Sequence, residues 1–149
     1  MAICRHGQCQ FRQFRDLIDC GRGAAAMELA LLLPLLTSLI LGVFEYGSVI
    51  YSYSMMQFGA NRVARVMIVN RLGNADAGQA VRSYLPAWVR DDVSVTVLQS
   101  APADPRLNLI TVRVNVAAQN ATPLPILTRA IPWQLTASVT KKQELPYVD

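Results

Sequence analysis

Beyond Cys20 this chain of 149 residues has no cysteine, and its single histidine, His6, also lies near the N-terminus. The rest of the chain therefore folds without disulfides, even in an oxidising compartment. Ser-His-Asp and Cys-His nucleophile arrangements are excluded from the same region. Charge is scarce as well. Only 16% of residues are charged, and between Gly23 and Asn61 there is no Lys or Arg at all, with Glu28 and Glu45 as the only acids. No Gly-rich phosphate loop follows a strand pattern. Asp91, Asp92 and Asp104 read as turn acids and form no acid/base pair. No enzymatic function and no cofactor are expected.

Half of the net charge of +4 comes from the first 23 residues, which hold Arg5, Arg12, Arg15 and Arg22 with Asp16 and Asp19. Without residues 1–23 the chain keeps ten basic and eight acidic residues, so nucleic acid is not an expected partner. Cys4, His6 and Cys9 lack a fourth nearby ligand, which argues against zinc. Cys20 precedes the apolar run, whereas a lipidated cysteine follows one.

What is present in place of charge is a long apolar run. Ala24 to Val43 is twenty residues with one charge. At about 1.5 Å per residue a helix of that length covers about 30 Å, the thickness of a bilayer's hydrocarbon core. Phe44, Tyr46, Tyr51 and Tyr53 follow, as expected at a membrane–water boundary. Arginines before the span and none until Arg62 place the leader in the cytoplasm and the C-terminal part outside. Pro34 removes one helix donor and frees the carbonyl of Ala30. Membrane helices tolerate this when hydroxyls or neighbouring helices satisfy the freed group.

Glu28 sits five positions after Gly23, at the inner mouth of the span. One reading is an interfacial acid with its head in water. The other is a signal cut after Gly23, which leaves a protonated α-amine on Ala24 one helical turn from Glu28. That amine neutralises Glu28 of the same chain or of a neighbour, and the helix dipole also favours the acid there. Glu45, just past the span, is expected as a solvated or headgroup-level carboxylate, with a subunit contact as the alternative.

Beyond the membrane the helix is expected to continue on a stripe of Met55, Met56, Phe58, Val63, Val66 and Met67. Gly73 reads as its C-cap and Asn74 as the cap of a second, shorter helix through Tyr84, ended by Pro86. The period then changes to two. Val93, Val95 and Val97 alternate with polar residues, as do Ile110, Val112, Val114 and Val116, and Trp133, Leu135, Ala137 and Val139. The expected fold class is α+β, with a three-stranded antiparallel sheet covered by the helices. The expected organisation is a basic leader over 1–23, a transmembrane helix and interface over 24–53, and an extracytoplasmic domain over 54–149.

The run Arg22-Gly23-Ala-Ala-Ala-Met-Glu28-Leu-Ala-Leu-Leu-Leu-Pro34, with Leu41-Gly-Val-Phe-Glu45-Tyr-Gly47, resembles the TadE-like minor pilins (pseudopilins) of the tight-adherence system. Ala60-Asn-Arg-Val-Ala-Arg65 and Leu135 to Glu144 are similar to that family's post-membrane helix and final strand. The resemblance implies a bacterial inner-membrane protein, cut between Gly23 and Ala24 by a prepilin peptidase, with Glu28 as the assembly glutamate. It further implies a role in Flp-type pilus biogenesis, surface adhesion and biofilm formation. The partners implied are that peptidase, other Tad pilus subunits, the inner-membrane assembly platform and membrane lipid. Pro34, Glu45, Tyr46 and Gly47 are candidate subunit contacts. Leu29 stands where an aromatic is common, and Ser48 where a basic residue often follows the Glu-aromatic-Gly triplet. Two other readings remain: an uncleaved single-pass anchor presenting a binding domain, and a secreted protein cut near Gly59-Ala60 by a conventional signal peptidase.

Overall fold

The structure, a computed structural model, describes residues 21–69, 71–130 and 132–144, with side chains from residue 25 onward. The leader residues Cys4, Arg5, His6, Cys9, Arg12, Arg15, Asp16, Asp19 and Cys20 lie outside the described residues. The first element is one helix, α1 (Gly21–Ile68), 48 residues long with Pro34 inside it. Near Pro34 the Thr37 hydroxyl donates to the Leu33 carbonyl at 2.7 Å and the Ser38 hydroxyl to that of Leu35 at 2.8 Å. Polar side chains in the apolar run thus bond back to the helix backbone.

The chain divides into two compact units after Leu41. The second unit therefore begins at Gly42, inside the helix and twelve positions before the boundary expected from the aromatic belt. Its helical part buries Val49, Ser52, Met56, Ala60, Val63, Ala64, Met67 and Ile68. These recur at three and four positions, the spacing of one helix face. Phe58 and Val66, expected on that face, are exposed. The inward face is instead built partly from alanines, whose small side chains let neighbouring elements approach.

The end of α1 differs from the expected glycine cap. The Arg71 N–H closes on the Val66 carbonyl at 3.1 Å, and the Glu144 N–H reaches the Ile68 carbonyl at 3.1 Å. The last described residue of the chain thereby satisfies a helix-end acceptor. Gly73 is the N-cap of α2 (Asn74–Arg82), in extended backbone, with no side-chain cap bond. Asn74 accepts a bond from Gln99 across to the sheet at 2.9 Å. Pro86 does not close the helical region, because it opens a further turn, α3 (Ala87–Arg90). Pro86 is the N-cap of that turn, in extended backbone that its fixed φ allows, and its missing N–H costs nothing there.

Three strands follow: β1 (Ser94–Gln99), β2 (Leu109–Ala117) and β3 (Gln134–Lys142). The sheet order is β1-β2-β3 and both pairings are antiparallel. Val112 pairs with Val97 and Val139, and Val114 with Val95 and Ala137, so alternate residues stack on one face. That face joins the buried stripe of α1 together with Ala77, Val81, Leu85 and Val89 in one core. On the other face Thr111 and Thr140 share a hydroxyl bond at 2.9 Å, and the Thr136 hydroxyl donates to Asn115 at 2.8 Å. The alternation of apolar and polar residues explains both faces. Between β2 and β3 the chain makes a 3₁₀ turn (Ala118–Asn120), and residues 121–130 and 132–133 follow without regular structure.

Candidate functional site

Glu45 lies on α1 two residues beyond the apolar run and is only 2% exposed. The reading of a solvated carboxylate is corrected here. Its two oxygens accept the N–H groups of Ile126 at 3.1 Å, Leu127 at 2.8 Å and Thr128 at 2.7 Å. The Thr128 hydroxyl donates a fourth bond at 2.6 Å. All four donors are neutral, so this is an anion held in a backbone nest, with no ion pair among these bonds. Burial opposes the charged form. The bonds from the Leu127 N–H, the Thr128 hydroxyl, the Thr128 N–H and the Ile126 N–H outweigh it, and the carboxyl is held below its ordinary range.

A second tie sits two turns further along α1. The Ser52 hydroxyl is fully buried and donates to the Ala121 carbonyl at 2.6 Å. The Trp88 indole N–H reaches the Ser52 oxygen at 3.2 Å and the Ala121 carbonyl at 3.3 Å. Ser52 and Glu45 thus hold the two ends of one irregular segment to a single helix face. A purely apolar search for a core stripe passes over both residues because they are polar. The signal that finds them is their position: 45, 49, 52 and 56 continue the buried spacing.

The other residues singled out from the sequence stay apart from this clamp. Gly23 and Ala24 are helical in backbone. Glu28 and Pro34 are exposed on α1. Tyr46 is exposed and lines a groove of about 310 Å³ with Val49, Ile50, Tyr53, Trp133 and Leu135. Gly47 faces open space, so its missing side chain makes room for nothing within this chain. Among the described residues no group of His, Cys, Asp and Glu is assembled that fits a metal ion.

One helix among the described residues is long and apolar enough to cross a membrane, with a best window of mean hydropathy 2.1 and none of that window buried. A helix of membrane-crossing length and a small α+β unit are together consistent with a membrane-anchored protein. Residues 23–65 match the family described as TadE-like protein. The matched stretch runs from the glycine before Ala24, through Glu28 and the apolar run, to Arg65 on the buried helix. No curated protein and no solved structure matches the chain.

Proposed function

We propose that this protein is a non-enzymatic minor pilin, or pseudopilin, of the Tad/Flp pilus assembly system. It is inserted in the inner membrane with its leader in the cytoplasm and its C-terminal unit outside. A prepilin peptidase cuts between Gly23 and Ala24, and the membrane helix stays with the product. The new α-amine then compensates Glu28 of this chain or of a neighbouring subunit, so that processing and assembly are coupled. Through assembly it supports surface adhesion and biofilm formation.

The observation that carries this reading is the match over residues 23–65, which spans the proposed cut, Glu28 and the outer end of the apolar run. An exposed carboxylate on a helix that crosses a bilayer is costly, by about 2.5–3.5 kcal/mol at the bilayer centre, unless a partner charge is supplied. Pro34, Tyr46 and Gly47 are exposed on the same helix and are available to neighbouring subunits. Glu45 differs, because its carboxylate is consumed within the chain.

The fold also weighs on the secreted alternative. Gly59 and Ala60 are buried, and a cut there removes Glu45, Val49, Ser52 and Met56 from the core they help to build. Such a product loses one side of its domain. The experiment that tests the proposal is Glu28→Ala in cells that make the pilus. Loss of filaments with normal membrane insertion supports it, and unchanged filaments overturn it.

A further inference from the structure

The segment 121–130, with Trp133, combines two properties that rarely meet in a loop bathed in water. It exposes large apolar side chains, with Leu124 49%, Ile126 52%, Leu127 58% and Trp133 44% accessible. It also surrenders three consecutive backbone N–H groups to one buried carboxylate, Glu45. A loop facing water has no need of such an acceptor, since water supplies it. A loop leaving water does, because unpaired backbone groups are costly away from solvent.

Its position points to where it goes. The Leu127 side chain lies over Gly42, with its Cδ1 3.5 Å from the place a Cβ would occupy there. Gly42 belongs to the last turn of the apolar run, so this loop sits level with the outer end of the span. Trp133 shares a groove with Tyr46 at the same level. Aromatic residues are favoured at that depth, where one end of the ring is dry and the other wet. The only charged residue between 121 and 133 is Arg129, which is exposed. An arginine suits phosphate headgroups, which it binds through two parallel N–H bonds.

We propose that residues 121–130, with Trp133, form a membrane-seated loop whose Leu124, Ile126, Leu127 and Trp133 enter the lipid interface beside the span, with Glu45 as the positioning residue. This rests on α1 crossing the bilayer and adds a second, peripheral contact to it. The contact fixes the C-terminal unit against the membrane surface before any assembly partner is met. Extraction of a subunit into a filament then requires this loop to leave the lipid.

The test uses the full chain with Cys4, Cys9 and Cys20 replaced by serine, held as one protein per nanodisc of phosphatidylethanolamine and phosphatidylglycerol. Single cysteines are placed at Leu124, Ile126, Leu35 and Asp104 and labelled with a nitrobenzoxadiazole fluorophore. Labels at 124 and 126 are expected to be quenched by doxyl lipid and shielded from aqueous iodide, as at 35. The label at 104, in an exposed turn, is expected to show the reverse. Glu45→Gln is expected to reduce the lipid quenching at 124. Iodide access at 124 and 126 equal to that at 104, with 35 still quenched by lipid, overturns the proposal and leaves the span intact. Shielding from iodide without lipid quenching also overturns it, because protein then covers the loop. Failure at 35 removes the span itself, and the loop's seat with it.

Discussion

Glu45 and Thr128 stand 83 positions apart in the chain, yet a single carboxylate oxygen of the first accepts both the N–H and the hydroxyl of the second, at 2.7 and 2.6 Å. The two residues join the helix at the outer end of the apolar run to a loop that has no regular structure of its own. Replacing Glu45 with glutamine keeps the shape and one good acceptor. It turns an amide N–H₂ toward the Leu127 N–H or toward the Thr128 pair. Thermal unfolding of Glu45→Gln in detergent is expected to show a loss of about 1–3 kcal/mol. An unchanged melting temperature contradicts the clamp.

The same clamp fixes a direction for pH. Glu45 has its folded pKa lowered from 4.5. Its contribution to stability is therefore fully present above 4.5 and is lost as pH falls through the lower folded value. The advantage of the natural protein over Glu45→Gln is expected to be level near neutrality and to shrink on acidification below 4.5. Unfolding curves of both proteins across that range check this. An advantage that grows on acidification contradicts the assignment.

Ser52→Ala leaves the Ala121 carbonyl with the Trp88 indole alone. The loss is expected to be about 1 kcal/mol, in line with one neutral hydrogen bond. Trp88 fluorescence is the local reporter, and it is expected to change while Trp133, whose surroundings do not include Ser52, is held constant by Trp133→Phe.

Gly59 of α1 lies against Val81 of α2 and Tyr84 just beyond it. A Cβ there meets Val81 and Tyr84 at 3.5 Å, an ordinary contact. Gly59→Ala is expected to be neutral or stabilising by up to about 1 kcal/mol, since glycine is costly inside a helix. Gly59→Leu is expected to cost about 1–3 kcal/mol by overpacking. Equal stability of the two variants contradicts the close approach. The small pair Gly59-Ala60, which in sequence looks like a signal peptidase site, is thus explained by packing.

The strands were legible because Val112, Val114 and Val116 alternate with polar residues, and a period of two belongs to a half-buried strand and not to a helix. The apolar helix was legible for a similar reason, a bulk property summed over twenty residues. What escaped were features set by tertiary contacts. Gly73 looks like a C-cap, but the α1 terminus is satisfied by Glu144 from the far end of the chain, so the glycine was free to open α2. Phe58 and Val66 are more hydrophobic than Ala60 and Ala64, yet the alanines are buried because the helix face is chosen by what fits against it. Glu45 was the largest departure. A charge next to a membrane span reads as solvated until the loop that enfolds it, more than eighty residues later, is known.

The proposed function depends on trimming ahead of the apolar helix, with that helix kept. Mass spectrometry of the N-terminus of protein extracted from membranes tests it most directly. A chain beginning at Ala24 is expected. A chain that retains Met1 through Gly23, or one that begins near Asn61, contradicts it.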